Sequence, residues 1–486
     1  MSAQLILTAI MAYFFMLLGV GYITSRKAGK SEYFIGNKQS IWWLVAIGML
    51  SDSMSGVSFI SVPGKVYSAN FYYMQMVMGY LLGYLVIAFI LLPLYYKMNL
   101  TSIYTYLGSR FGVYGQKVGA SYFVVSRLLG SAARLYLTAA ILQTYLFDAW
   151  NVPFWLSVAI IIALILVYTI KGGIRTLVFT DAIQSVFLIA GLVTCISILI
   201  YKSGASYTEI LEISPYSSWF NWEFNSSSYF IKHLLGGAFI CIAMTGLDQN
   251  MMQKNLSCKS IGDAQKNILS YGVIVFLVNI VFVSLGAVMI YYLTVANIPM
   301  PMRDGAAYTD GIFPMLALNH LGVAAGIAFI LGLAAATFSS ADSVLTTLTT
   351  STYIDLFGID KKDMPEVSKT KFRNRLHIGF AVLMLFTILL FEKYNSKTLI
   401  DAILTLAIYT YGPLLGLFGA GILSKIKVAG WPIIVVCILS SAVTYAIASI
   451  PADTLAGYHL GYEKLLLNGA ITFYGLWLVS MLQKKG

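Results

Sequence analysis

Asp52, Arg134, Asp181, Asp248 and Asp342 fall inside or at the ends of runs that are otherwise apolar. A charged group at the centre of a bilayer costs about 2.5–3.5 kcal/mol on insertion scales. Such groups must pair, be neutralised, or face water and ions. Any one of them alone reads as a structural ion pair, but together they point to a transport pathway. Beside Asp342, residues Ala336, Ser339, Ser340, Ser343 and Thr347 recur at i, i+3, i+4, i+7 and i+11 and share one helical face. Hydroxyl and carboxylate oxygens on one face suit a hard cation, and the lack of nitrogen or sulfur ligands argues against a transition metal. The bland alternative is hydroxyls bonding back to carbonyls one turn earlier.

These residues need elements that cross hydrocarbon. Of the 486 residues, 59% are apolar and 10% charged, and the mean hydropathy is +0.79. So few charges cannot cover soluble domains, and apolar runs of about 20 residues, enough to cross about 30 Å, recur from end to end. Thirteen spans are expected near 5–24, 41–66, 72–96, 118–147, 153–170, 177–201, 229–252, 265–294, 320–356, 374–392, 398–424, 430–450 and 465–483. The first is read as a retained span, because Met1–Gln4 has no basic segment and no cleavage site follows. A short external helix is expected around Ile312–Leu321, and the polar stretch Ser203–Ser228 reads as a solvated or gating loop outside.

With the N-terminus outside and the C-terminus in the cytoplasm, 22 of the 31 Lys and Arg residues, Arg26, Lys27, Lys30, Lys254, Lys259 and Lys485 among them, fall in inner loops. Seven, including Lys65, Lys232 and Lys397, fall outside, and Arg127 and Arg134 lie within a span. This asymmetry sets the orientation and explains the net charge of +11 without nucleic acid. The four cysteines show neither a disulfide framework nor metal spacing.

The second span, Trp42–Gly64, is dense in Ser, Gly and Asp at its middle and carries Pro63. Weak helix formers and a missing donor predict a discontinuous helix whose freed carbonyls can hold a cation. Asp181 and Gln184 point the same way from the sixth span, and the polar string Gly246–Lys254 closes the seventh.

Several motifs resemble the solute–sodium symporter family: Gly172-Gly173…Thr180-Asp181…Gln184, Gln249…Gln253-Lys254…Lys259-Ser260, Ser339-Ser340…Ser343 and Leu100-Thr101-Ser102…Tyr106-Leu107…Arg110-Phe111. The resemblance implies an all-α LeuT-type fold with two inverted five-helix repeats. Residues 1–40 would hold a peripheral span, 41–202 the first repeat, 203–228 an outer loop, 229–424 the second repeat and 425–486 two peripheral spans. The family's sodium site two would use carbonyls of Ser51, Met54 and Ala336 and hydroxyls of Ser339 and Ser340. A second sodium would map to Asp181, the Ser339 carbonyl, Asp342 and Ser343, although Asp342 stands where the sialic acid branch has serine. The solute would sit near Ser55, Ser58, Tyr73 and Arg134, with Asp52 pairing Arg134 or binding a substrate amine. Val77 and Thr405 stand where sialic acid and sugar carriers, respectively, place glutamines.

The expected function is sodium-coupled import of a small organic solute, an organic anion or acidic sugar ahead of a neutral sugar or amino acid. Its partners are the solute, Na+ and the lipid bilayer, with no nucleic acid. A monomer in the cell membrane is expected. A transporter-like sensor and a membrane-embedded enzyme are the competing classes, and His233, His320, His377 and His459 at span ends offer the enzyme reading no paired catalytic motif.

Overall fold

The computed structural model describes residues 1–25, 38–303, 305–394 and 399–484. Arg26, Lys27, Lys30, Lys397 and Lys485 of the charge count lie outside the described residues. Apart from a two-residue antiparallel ribbon, in which Met302 faces Ala307 and Arg303 faces Ala306, the described architecture is helical. The principal helices are α1 (Ala3–Ser25), α2 (Trp42–Ser53), α3 (Gly56–Ala69), α4 (Tyr73–Val86), α5 (Tyr104–Tyr145), α6 (Phe154–Ser203) and α7 (Phe230–Cys241). They continue with α8 (Gln249–Asn255), α9 (Ile261–Val295), α10 (Val323–Ser351), α11 (Glu366–Tyr394), α12 (Leu399–Leu423), α13 (Pro432–Ala448) and α14 (Lys464–Gln483).

Each expected apolar run folds as helix. By length and apolarity, nine helices among the described residues can cross a membrane, or ten if one bent pair is a single span. The fifth and sixth runs are joined without a loop, because Gly173 turns α6 at φ 59°, ψ −172°, a conformation only glycine adopts without strain. The helix expected near Ile312–Leu321 is present as Ile312–Met315 followed by a π-helical turn, Leu316–His320.

Two of the expected apolar runs are broken within their length. The second run divides at Met54 (φ −85°, ψ 76°) and Ser55 (φ −69°, ψ 171°). The seventh bends by 69° between Gly246 and Gln249, where the Asp248 side chain caps α8 by accepting from the Met251 backbone amide at 3.1 Å. That capping bond satisfies one of the donors freed at the break. Around these breaks α10 lies along α6, and α2 packs against both. The approach of α2 to α6 is close at Gly48, where a Cβ would lie 3.2 Å from both Asp181 Cβ and the Val178 carbonyl oxygen. Elsewhere α4 packs on α7, α12 is held between α5 and α14, and α1 lies against α6 and α10. The stretch Ser203–Ser228 is docked rather than loose: Ser218 O accepts from Phe71 N at 3.0 Å, and Asn221 N donates to Gln75 Oε1 at 3.1 Å.

Candidate functional site

Asp181, fully buried on α6, is the meeting point of three elements. Ser339 on α10 donates to its Oδ1 at 2.9 Å, and Ser343, one turn on, approaches Oδ2 at 3.5 Å. Lys254 on α8 lies 2.6 Å from Oδ2 and 3.0 Å from Asp52 Oδ2 on α2. Asn250 donates to that same Asp52 oxygen at 2.7 Å and takes a hydrogen bond from Thr347 at 3.2 Å. The hydroxyl stripe of α10 therefore faces α6 and α8. Ser51, in the last turn of α2, closes the cluster: its Oγ lies 2.8 Å from Ser339 Oγ and donates to the Asp181 carbonyl at 2.9 Å. Its backbone amide is held by Ser185 at 3.0 Å. This brings the end of α2 against the α10 hydroxyls.

Ser340 turns another way, donating to the Thr337 carbonyl at 3.1 Å within its own helix. Asp342 is also separate: its Oδ2 accepts from Tyr168 at 2.8 Å, while its Oδ1 is enclosed without a hydrogen-bond partner among the described residues. Asp181, Ser339 and Ser343 thus meet, and no hydrogen bond joins Asp342 to them.

A second network lies nearby. Arg127 Nε is 2.6 Å from Asp248 Oδ2, and Tyr411 donates to the same oxygen at 2.5 Å. Between the two networks is a cavity of about 120 Å³ to which Asp52, Ser55, Ser58, Tyr73 and Arg134 all contribute. Every residue expected to bind the solute therefore lines one space. Arg134 is 9% exposed and makes no hydrogen bond or ion pair among the described residues. Val77 and Thr405 are not in the lining. Asp52 does not pair with Arg134: its Oδ2 is held by Lys254 and Asn250, while its Oδ1 is buried without a hydrogen-bond partner among the described residues.

Lys254 is the principal correction. The charge count placed it in an inner loop, yet it is 1% exposed in the core. Its position at the end of the seventh apolar run suggested a flanking charge, whereas the bend before α8 turns that segment inward. The signal was present in Gly246–Lys254, too polar for a span end facing lipid. Arg127, Tyr168, Tyr411 and Asn250 were likewise given no role at the sequence level. Pairings across |i−j| of 121 to 202 residues, as in Arg127–Asp248 and Lys254–Asp52, leave no local signature.

The broken spans, the buried oxygen cluster and the cavity beside them are the parts a cation-coupled membrane transporter needs. The profile of the Sodium:solute symporter family matches residues 33–442, and the chain belongs to that family. It is a sodium-coupled symporter rather than an enzyme, and a multi-pass membrane protein. Among similar proteins, the sodium/sialic acid symporter NanT of Aliivibrio fischeri is 24% identical over 428 residues, covering 85% of this chain and 82% of that one. SiaT of Proteus mirabilis, also a sodium/sialic acid symporter, is 23% identical over 471 residues, covering 94% and 92%. Human sodium-coupled monocarboxylate transporter 1 is 24% identical over 429 residues, covering 87% and 68%. Among solved structures, the substrate-bound outward-open state of a Na+-coupled sialic acid symporter superposes with a TM-score of 0.82 at 20% identity, covering 98% of both chains. Mhp1, a nucleobase-cation-symport-1 family transporter, gives 0.57 at 14% identity, covering 94% of this chain and 96% of that one. These likenesses establish the LeuT-type fold.

Proposed function

We propose that the chain imports a small organic anion together with sodium, by exposing the broken-span site alternately to the two sides of the membrane. The observation that carries the anion is Arg134. The neighbouring Arg127 and Lys254 have carboxylate partners, but Arg134 faces the cavity with none among the described residues. A buried cation left unpaired is costly, so this guanidinium suits a carboxylate brought by the solute, which its planar fork can grip through two bonds. The relatives named for sialic acid and for monocarboxylates support an acid as solute.

For sodium, the carbonyls of Ser51, Met54 and Ala336 and the hydroxyls of Ser339 and Ser340 form the proposed site. The contact between Ser51 and Ser339 supports it, because it brings the break and the stripe together. A second set, Asp181, the Ser339 carbonyl, Asp342 and Ser343, already has the Lys254 ammonium on Asp181. Thirteen crossings, an N-terminus outside and a C-terminus inside, the repeats at 41–202 and 229–424 and a monomer in the cell membrane complete the proposal. Uptake of a labelled organic acid into proteoliposomes tests it. The flux should require a sodium gradient and vanish in Arg134→Gln; uptake indifferent to sodium would overturn the reading.

A further inference from the structure

We infer that Asp248, from behind the cavity wall, sets how many anionic groups the solute can carry: it neutralises Arg127 and leaves Arg134 as the guanidinium of that wall open to a solute charge. This rests on the reading of Arg134 as the anion contact. It gives a part in selectivity to the Arg127–Asp248–Tyr411 network, which that reading does not use.

Arg127 and Arg134 both line the cavity. They lie on α5 about two turns, or about 10 Å, apart along one helical face. Asp248 is not in the lining. It is fully buried at the bend before α8, and both of its oxygens are occupied. Oδ2 lies 2.6 Å from Arg127 Nε and accepts from the Tyr411 hydroxyl at 2.5 Å, while Oδ1 accepts from the Met251 amide at 3.1 Å. Arg127 Nη2 donates to the Met244 carbonyl at 3.2 Å, in the π-helical turn Ile242–Gly246. The bend thus holds the Arg127 fork at two nitrogens. Its charge is met by a carboxylate anchored from α8 and α12.

The consequence is electrostatic. One anionic group entering this space meets Arg134. A second would have to draw Arg127 away from Asp248, or bring its charge close to that carboxylate without compensation. Asp52, which is in the lining, works in the same direction: it shares the Lys254 ammonium with Asp181, and its Oδ1 has no partner among the described residues. Were Asp248 neutral, Arg127 and Arg134 would form a wall of two cations, matched in charge to a dianion. Charge is all that Asp248 decides, since Ser53, Ser55, Ser58 and Thr245 in the lining can meet hydroxyl groups of solutes of either charge. Because it acts through Arg127 without touching the solute, Asp248 is a positioning residue.

The test is thermal unfolding of the purified full chain in detergent at saturating sodium and near-neutral pH. The probes are matched acids of one and two carboxylates: lactate and malate, benzoate and phthalate, glucuronate and glucarate. A monoanion that stabilises the wild type should bind at least about tenfold tighter than its dianionic partner, the discrimination expected of one uncompensated charge. Asp248→Asn keeps the shape and an acceptor for Tyr411, and should lower that ratio at least about tenfold, chiefly by tighter binding of the dianion. Adding Arg127→Gln should return the ratio to the wild-type value. If Asp248→Asn does not fold, Arg127→Gln alone supplies the measurement: it leaves Asp248 uncovered and should weaken the monoanion, with Asp248→Asn in the same chain restoring it. A double variant as weak as Arg127→Gln would show that Arg127 itself grips the solute, which overturns the inference. A ratio unmoved by Asp248→Asn, with both acids weakened alike, makes Asp248 a fastener only and overturns the inference while leaving the anion reading standing. So does a wild type that binds the dianion as tightly as the monoanion. A panel in which no acid stabilises the wild type overturns both readings.

Discussion

Lys254 and Arg134 are both basic side chains in the apolar interior, yet their surroundings are opposite. Lys254 is enclosed by Asp52 and Asp181 and joins α8 to α2 and α6. Arg134, on α5, makes no ion pair among the described residues and opens onto the cavity. The difference separates two tasks that buried charge can perform. A paired cluster fixes the relative positions of helices, since each member would be costly if stranded. An unsatisfied cation instead keeps its interaction for a ligand. The broken span lies between the two, so its halves are held by the first arrangement while its exposed residues serve the second.

The largest effect expected from disturbing this contrast is on stability. Lys254→Met strands Asp52 and Asp181, and loss of one member of a buried pair typically costs about 3–5 kcal/mol. The unfolding midpoint in detergent should fall sharply, and adding Asp181→Asn should restore part of it. An unchanged midpoint for the single variant would show that Lys254 is not a fastener. Arg134→Gln should do the reverse, leaving the midpoint near wild type while weakening solute binding by about 2 kcal/mol or more, roughly thirtyfold. Equal losses of stability in the two variants would erase the distinction between these regions.

Most of the fold was legible in the sequence because hydrocarbon imposes one-dimensional rules: apolar length, flanking charge and weak helix formers at a break. The division at Met54–Ser55 followed from Ser, Gly and Asp in the middle of a span, and the α10 stripe followed from helical periodicity. The solute-facing residues came from the resemblance, and their convergence on one cavity needed coordinates. What escaped were the pairings. Nothing near Lys254 indicates that its partners lie on α2 and α6, because the bend at Leu247–Asp248 decides whether the side chain reaches water or core. Asp342 escaped for a related reason: its rotation about α10 favours Tyr168 over Asp181, and a period of 3.6 residues cannot resolve two adjacent flanks.

A smaller effect should separate the hydroxyls. Ser339→Ala removes a donor to Asp181 and the contact with Ser51, and Ser340→Ala removes a hydroxyl now bonded within its helix. A hydrogen bond to a charged group is worth about 1.5–3 kcal/mol. Each variant should therefore need about tenfold more sodium for half-maximal uptake, with solute affinity at saturating sodium little changed. Sodium activation unchanged in both would remove these serines from the proposed site.

The smallest expected effect is in Asp342→Asn. If the Lys254 ammonium already supplies the positive charge beside Asp181, no second sodium is needed there, and one sodium travels with one monoanion. That co-transport carries no net charge. Accumulation should then be indifferent to membrane voltage, both in the wild type and in Asp342→Asn, since Asp342 faces Tyr168 rather than the Asp181 cluster. A second sodium would add one net charge, worth about 2.3 kcal/mol or roughly fiftyfold in accumulation across about 100 mV. Proteoliposomes held at defined voltage by a potassium gradient and ionophore distinguish the two. A voltage-driven increase of that size, lost in Asp342→Asn, would assign the second ion to Asp342 and show that Lys254 does not replace it.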